Sequence, residues 1–155
     1  SIANYNCPGQ IVITGEAAAV AEAGTALKEA GARRVLPLKV SGPFHSPMMR
    51  PAGEELAKVF AGVSMNPLKI PYVANINAEV ITDCGRIEGL LVDQVSGSVR
   101  WQQSVETMIR EWVDTFVEIG PGKTLTGFLR KIDKNVKAYH IGSWEEAVQV
   151  CEELK

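Results

Sequence analysis

Two prolines four residues apart constrain the chain more strongly than any other local feature. Pro43 and Pro47 each fix the backbone φ angle at about −65°, and Pro47 can occupy the first position of a helix. Ser46, directly before it, is a residue type that commonly caps a helix N-terminus. The pattern predicts a sharp corner between an incoming strand and an outgoing helix over 47–61, with His45 exposed at the corner.

The rest of the sequence alternates between strand-like and helix-like patterns. The predicted strands are 1–6, 10–14, 33–40, 68–76, 114–119 and 136–141. The other predicted helices are 16–30, 87–95, a segment that begins after Ser98, 125–132 and 144–154. Strands that alternate with helices are typical of an α/β fold with a largely parallel sheet, which is the fold class that the sequence predicts.

One of the predicted helices carries a periodic apolar pattern. Ser98 precedes it and is predicted to cap its N-terminus. Trp101, Val105, Met108 and Trp112 then recur at spacings of four, three and four residues. Because that spacing places side chains on one face of a helix, all four are expected to lie in a buried stripe.

The composition argues against several classes of protein. The 155 residues are 46% hydrophobic and 22% charged, with a formal net charge of −2 and no long basic run, so a nucleic-acid partner is not expected. Cys7, Cys84 and Cys151 are far apart, which indicates neither a disulfide framework nor a zinc site. The sequence has no apolar run of membrane-spanning length and no signal-peptide pattern. A reducing, cytoplasmic location without a membrane partner is therefore expected.

His45 gives the predicted corner its chemical interest. Histidine is the usual general base near neutral pH, and the two prolines would hold the imidazole in a defined place. Such a base needs an acceptor on its other ring nitrogen, and no Asp or Glu is obviously placed for that role. The sequence also lacks the Gly-x-Ser-x-Gly elbow that presents a nucleophilic serine. From spacing alone, His45 could have either a catalytic or a purely structural role.

A second motif, at 120–124, resembles the end of a phosphate-binding loop. That loop needs a glycine at position 117, which is Val117 here, and Pro121 lacks one of the N–H groups that would bind phosphate. A structural turn is therefore favoured over a nucleotide site. His140, the second histidine, is expected to play a structural role, and with only two histidines no metal site is expected.

Four segments, taken together and in order, resemble malonyl-CoA:acyl carrier protein transacylases of bacterial fatty acid synthesis. They are 4–15, 36–46, 98–101 and 118–127. The resemblance extends over the whole chain. It implies that residues 1–40 form part of a ferredoxin-like small subdomain and that 41–155 form the C-terminal part of an α/β-hydrolase-like acyltransferase core.

The same resemblance implies roles for individual residues. His45 is expected to act as general base and acid, and the main-chain carbonyl of Gln94 is expected to hold the other nitrogen of its ring. Asn6 and Gln10 are expected to line the substrate cleft. Phe44 matches the pattern of acyltransferases that prefer malonyl over methylmalonyl groups.

The reaction implied by the resemblance is transfer of a malonyl group from coenzyme A to the phosphopantetheine thiol of acyl carrier protein. A seryl acyl-enzyme would carry the group, with no cofactor and no metal. The family's serine, oxyanion-hole residues and carboxylate-binding arginine have no counterpart in these 155 residues. Ser46 is a poor substitute because it is predicted to cap a helix. The sequence is therefore expected to be the C-terminal part of the enzyme, inactive alone.

Two alternatives stand beside that interpretation. An acyltransferase of polyketide synthesis would share the same motifs. A non-catalytic fragment could bind carrier protein without transferring an acyl group. In the favoured interpretation, the expected partners are the carrier protein, the coenzyme A thioester and the N-terminal remainder of the same enzyme.

Overall fold

The chain consists of mixed helices and strands, in the α/β class that the sequence predicts. The computed structural model describes all residues, 1–155. Its strands are β1 (Ile2–Cys7), β2 (Gln10–Ile13), β3 (Tyr72–Val73), β4 (Val80–Ile81), β5 (Thr115–Ile119) and β6 (Lys137–Ile141). Its helices are α1 (Ala17–Glu29), α2 (Arg50–Phe60), α3 (Ile87–Ser96), α4 (Trp101–Arg110), α5 (Thr124–Ile132) and α6 (Trp144–Glu153). Short 3₁₀ helices at Pro47–Met49 and Cys84–Arg86 lead into α2 and α3.

The N-terminal strands form an antiparallel hairpin that a third segment extends. Gly9 makes the turn between β1 and β2 with a φ of +76°, a left-handed value that glycine adopts without strain. On the other side of β1, the N–H of Tyr5 donates to the carbonyl of Val99 (2.9 Å), and the N–H of Val99 donates to that of Ala3 (2.7 Å). The segment between α3 and α4 is thereby fixed to β1.

A parallel unit forms in the last third of the chain. β5 pairs with β6 in parallel register, and α5 connects them as the crossover helix. α6 then packs against β6, and α4 packs against α5. The buried apolar residues of these helices are Val105 in α4, Leu129 in α5 and Val150 in α6. Each helix thus turns an apolar face toward the strands or toward a neighbouring helix.

Two helices meet closely beside the corner that the prolines define. The chain leaves the corner in a 3₁₀ helix, where the side chain of Ser46 accepts a hydrogen bond from the N–H of Met48 (3.3 Å), so the predicted cap is confirmed. α2 continues from there. Gly53 of α2 approaches α3 so closely that a Cβ at this position would lie 3.2 Å from the carbonyl oxygen of Val92. This packing brings α3 to the corner.

The predicted parallel sheet is only partly present. The strands form three separate pairs, of which only β5 with β6 is parallel. The predicted strand over 33–40 is wrong, because this segment has no regular secondary structure and none of its backbone groups bonds to another backbone group. A strand needs a partner for its N–H and C=O groups, and the chain supplies none here. The predicted strand over 68–76 is reduced to Tyr72–Val73, which pairs with β4.

The buried stripe predicted for α4 is also shorter than expected. The helix ends at Arg110, and Trp112 lies beyond its end with a φ of +66° and 92% exposure. A left-handed residue at this point ends the helix before the periodic pattern does. Ser98 does not cap α4 as predicted. Its hydroxyl donates to the carbonyl of Ile2 instead (2.6 Å), and Arg100 occupies the cap position without a side-chain bond.

The chain exposes a large surface for its mass. A monomeric domain of 16.8 kDa exposes about 7,600 Å² by the usual scaling with mass. This chain exposes 10762 Å² and buries 14 of its 155 residues. Several elements therefore lack covering partners within the chain. None of the helices is both long and apolar enough to cross a membrane.

Candidate active site

Hydrogen bonds around His45 hold the corner in place. His45 has a φ of +58°, in the left-handed region that residues other than glycine rarely adopt. The hydroxyl of Ser46 donates to the carbonyl of Pro43 (2.7 Å) and accepts from the N–H of Met48, and Ser46 is almost fully buried. The bond to Pro43 spans the strained residue, and the bond from Met48 holds the segment directly after it, so together they offset its conformational cost and fix the backbone from which the imidazole projects.

The ring of His45 is held by the main chain of α3. Its Nδ1 lies 3.0 Å from the carbonyl oxygen of Gln94, which is 49 residues away in sequence. A carbonyl oxygen can only accept a hydrogen bond, so Nδ1 carries a proton in this contact, and in the neutral ring Nε2 presents a lone pair. A neutral imidazole with a free Nε2 can act as a general base. The contact implied by the resemblance is therefore present, and a carbonyl takes the position where the sequence offered no carboxylate.

The end of a helix gives this contact its electrostatic character. Gln94 is among the last four residues of α3, whose carbonyls have no partner farther along the helix and carry partial negative charge. The neighbouring carbonyl of Asp93 accepts from the N–H of Gly97 (2.8 Å), so the helix end is closed beside the contact. α3 is thus placed to stabilise the positive charge that the His45 ring gains when it accepts a proton.

The other residues implied by the resemblance lie at separate positions. Asn6 is half-buried in β1, at an irregularity in the pairing with β2. Gln10 begins β2, and its side-chain oxygen lies 3.4 Å from Nζ of Lys131 in α5. Phe44 is 47% exposed beside the corner. None of these side chains hydrogen bonds to His45, so the contact with α3 is the one that the structure establishes between site residues.

The loop at 120–124 is closed by a carboxylate of the chain itself. Glu118 in β5 accepts hydrogen bonds from the N–H of Leu125 (3.0 Å), the N–H of Thr126 (2.7 Å) and the hydroxyl of Thr126 (2.6 Å). Desolvation opposes ionisation, but these bonds outweigh it and lower the pKa of Glu118. The carboxylate of Glu118 thus occupies two N–H groups in the first turn of α5, where a bound anion would compete with it. The structure therefore has the structural turn that the sequence favoured.

His140 has an environment distinct from that of His45. Its Nε2 lies 3.0 Å from the carbonyl oxygen of Gly120, and its Nδ1 lies 3.5 Å from Oε2 of Glu146. The same oxygen accepts from the N–H of Gly142 (2.6 Å), which lowers the pKa of Glu146. These contacts tie β6 to α6 and to the loop before α5. His140 therefore has a structural position, as expected from its apolar strand.

Other features of the surface offer less chemistry. One cleft of about 450 Å³ is lined by residues of α5 and β6, and another of about 250 Å³ lies beside His140; neither includes His45. No group of three or more His, Cys, Asp and Glu side chains could hold a metal ion, and the three cysteines are free. The His45 corner is therefore the candidate active site of the chain.

Sequence relatives of the chain carry one recurring name. No family sequence model matches it. The Malonyl CoA-acyl carrier protein transacylase of Bacillus subtilis is 41% identical over 154 residues, which are 99% of this chain and 49% of that protein. The protein of the same name from Staphylococcus aureus (strain COL) is 42% identical over 144 residues, 93% of this chain and 47% of that protein. The chain spans about half the length of the relatives it matches.

Solved structures agree with the sequence relatives. An acyl carrier protein S-malonyltransferase from Vibrio cholerae aligns with a TM-score of 0.93 and 41% identity, over 97% of this chain and 49% of that one. A malonyl-transacylase in complex with a type II polyketide synthase acyl-carrier protein aligns with a TM-score of 0.95 and 38% identity, over 99% and 50%. The chain therefore has part of an acyltransferase α/β fold. Within that class it is a relative of the malonyl CoA-acyl carrier protein transacylases, and the predicted resemblance is confirmed.

Proposed function

We propose that the chain is the C-terminal half of a malonyl-CoA:acyl carrier protein transacylase and supplies its catalytic histidine. The observation that carries the proposal is the contact between Nδ1 of His45 and the carbonyl oxygen of Gln94, in a chain whose relatives bear this name. The contact leaves Nε2 free to exchange a proton with a nucleophile from another segment. That nucleophile is a serine in the N-terminal part of the enzyme.

The proposed reaction has two matched halves. In the first, Nε2 of His45 accepts the serine proton while the serine oxygen attacks the thioester carbonyl of malonyl-CoA, and the proton passes to the departing sulfur as the C–S bond breaks. In the second, the phosphopantetheine thiol gives its proton to Nε2 and attacks the malonyl-serine ester, and the proton returns to the serine oxygen. The partial negative charge at the end of α3 stabilises the imidazolium in both halves. One thioester replaces another, so no cofactor is required.

The exposed surface of the chain is an argument that a second half of the enzyme completes the fold. Leu36, Leu38 and Val40 alternate along a segment without backbone partners and are 64%, 61% and 65% exposed. A strand from the N-terminal half would pair with this segment and cover these side chains. Residues 1–40 then belong to a ferredoxin-like small subdomain, and 41–155 belong to the acyltransferase core.

The remaining site residues are assigned to the substrate cleft between those two parts. Asn6 and Gln10 lie on the hairpin of the small subdomain, where they would border the cleft. Phe44 adjoins the catalytic histidine and is exposed enough to contact the acyl group. Its ring would leave little room for a methyl branch, so malonyl is favoured over methylmalonyl.

One observation supports a second candidate function. A structural neighbour with a TM-score of 0.95 holds a carrier protein of polyketide synthesis. An enzyme that transfers malonyl to such a carrier would use the same residues and the same steps, and it would differ in the surface that receives the carrier. In both cases the partners are a carrier protein and a coenzyme A thioester, in the cytoplasm.

The test is intact-mass spectrometry of the complete enzyme after incubation with malonyl-CoA, followed by transfer to fatty-acid and polyketide carrier proteins. His45→Ala is expected to lower the transfer rate by about 10²–10⁴-fold, the usual scale of general acid–base catalysis. His140→Ala is the control, because this second histidine contacts only the protein's own structural groups. The carrier that accepts the malonyl group faster decides between the two candidate functions.

Three outcomes would contradict the proposal. An unchanged rate in His45→Ala would remove that residue from the mechanism. A malonyl adduct within residues 1–155 would mean that the nucleophile lies in this chain. Saturable binding of carrier protein by the complete protein without any acyl transfer would mean a binding module instead of an enzyme.

A further inference from the structure

The identity of residue 94 is not explained by its contact with His45. The main-chain carbonyl that accepts from Nδ1 of His45 is a group that every residue has. The side chain of Gln94 points elsewhere, since its Nε2 donates to the carbonyl of Gly97 (3.0 Å) and to that of Ser98 (3.4 Å). These are the first two residues beyond α3. The amide therefore closes the end of the helix on which its own carbonyl lies.

The segment that receives those hydrogen bonds has little freedom. The hydroxyl of Ser98 donates to the carbonyl of Ile2 (2.6 Å). Gly97 is wedged against its surroundings, because a Cβ there would overlap Cδ1 of Ile76 and lie 3.0 Å from the carbonyl oxygen of Asp93. A continuous series of hydrogen bonds thus runs from β1, through this segment, to the end of α3 and the imidazole.

We propose that the side-chain amide of Gln94 is a positioning group for the catalytic histidine, an inference that rests on the proposed function. The amide holds the last turn of α3 against the following segment and keeps the Gln94 carbonyl aimed at Nδ1 of His45. Without it, the helix end frays, and the ring can rotate or change tautomer once Nδ1–H loses its acceptor. A donor is required because both targets are carbonyls, which only accept.

Substitutions in the complete enzyme test the donor requirement. Gln94→Met keeps the side-chain length and the main-chain carbonyl but removes both N–H donors, whereas Gln94→Lys restores donors. Gln149→Met is the matched control, because that helical glutamine donates only to exposed Glu153 (3.1 Å). Gln94→Met is expected to lower kcat about 10-fold, a fraction of the general acid–base effect, with an unchanged KM for malonyl-CoA. Gln94→Lys is expected to recover part of the rate that Gln94→Met loses, and Gln149→Met is expected to stay close to the wild-type rate.

Two further readouts separate positioning from general support of the fold. In nitrogen NMR spectra of histidine-labelled enzyme, Gln94→Met should decrease the fraction of His45 that carries its proton on Nδ1. Adding Gln94→Met to His45→Ala should cause no further loss of rate, because a group that acts through the imidazole has nothing left to position. Equal losses in both backgrounds, or an unchanged rate and tautomer, would overturn the inference.

Failure of this inference is distinguishable from failure of the proposed function. If His45→Ala leaves the transfer rate unchanged, the catalytic role proposed for His45 is wrong, and the tautomer measurement still decides whether Gln94 orients the ring. If His45→Ala abolishes transfer and Gln94→Met does not lower it, only the inference fails. If thermal unfolding shows that Gln94→Met does not fold, Gln94→Glu takes its place. An ionised carboxylate has no N–H donor, so a wild-type rate and tautomer in that variant would overturn the inference.

Discussion

The His45 corner and the segment over 33–40 are close in sequence but differ in what holds them. The corner is fixed by hydrogen bonds from the chain itself, to the residues around it and to α3. In the earlier segment no backbone group has a backbone partner, and the side chains of Leu36, Leu38 and Val40 are exposed. One region is held by bonds within this chain, and the other has no backbone partner in it.

The difference shows which kinds of structure a segment can form with its own residues. A capped corner, a hairpin or a helix satisfies its polar groups with residues nearby in the chain. A β-strand supplies only one side of a ladder and needs a second strand from elsewhere. The candidate catalytic corner therefore forms in this chain, while the segment before it stays unpaired.

The largest expected effect comes from placing a charge on the open segment. In the complete enzyme, Leu38→Asp is expected to lower the free energy of unfolding by roughly 3–5 kcal/mol, because a covering strand would bury the carboxylate without a partner. Chemical denaturation measures the difference. Leu154→Asp is the matched control. This leucine follows α6 and is 48% exposed, and its replacement is expected to change the free energy by less than about 0.5 kcal/mol.

One result of that experiment would contradict the difference between the two regions, in which the segment over 33–40 needs a partner and the His45 corner does not. If Leu38→Asp is as harmless as Leu154→Asp, the segment stays in contact with water in the complete enzyme. Its alternating apolar residues would then not mark an unpaired strand. The proposal that a second half covers this surface would fail with it.

A smaller effect is expected where the chain provides its own burial. Ile81 and Val80 are neighbours in β4, but Ile81 is completely buried whereas Val80 is 37% exposed. Ile81→Ala is expected to lower the free energy of unfolding by about 2–5 kcal/mol, the usual cost of emptying a packed site. Val80→Ala should cost clearly less. Equal costs in chemical denaturation would mean that the second half also buries Val80, and that this strand is not complete within the chain.

The sequence predicts those parts of the fold that depend on local periodicity. The first two strands, α1 and the unit of β5, α5 and β6 form close to their predicted bounds, because local residue patterns specify them. The predicted strand over 33–40 does not form and the largely parallel sheet is reduced to the pair of β5 and β6, since both depend on partners that no local pattern encodes. The spacing pattern predicts a buried Trp112 because it does not show the left-handed residue that ends α4.

The site was predictable to the extent that it depends on covalent constraints. Pro43, Pro47 and the capping serine identified the corner that presents His45, because their backbone preferences are intrinsic. The acceptor for the ring came only from the family resemblance. A main-chain carbonyl has no sequence signature, and Gln94 is 49 residues away. The contact of Glu118 with the start of α5 has no sequence signature for a related reason, since its carboxylate reaches N–H groups seven and eight residues farther along.

The last prediction concerns the junction between β5 and α5, where the carboxylate of Glu118 accepts hydrogen bonds from the start of the helix. The bonds from Leu125 and Thr126 outweigh desolvation and lower the pKa of Glu118 below its ordinary value of 4.5. A carboxyl whose folded pKa is depressed contributes stability that is fully present above the unfolded pKa and is lost as pH falls through the folded pKa. Glu118→Gln is therefore expected to cost about 1 kcal/mol near neutral pH, the scale of a lost helix cap, and progressively less below about pH 4.5.

The free energy of unfolding of both proteins, measured across this pH range, tests the prediction. Glu152→Gln is the matched control, because this glutamate is exposed in α6 and its side chain makes no hydrogen bond within the chain. Parallel curves for wild type and Glu118→Gln would mean that ionisation of Glu118 contributes nothing to the junction. If the stability curves of wild type and Glu118→Gln converge in acid, the ionised carboxylate of Glu118 stabilises the loop at 120–124. This loop would then resemble the His45 corner, because the chain stabilises both with its own residues.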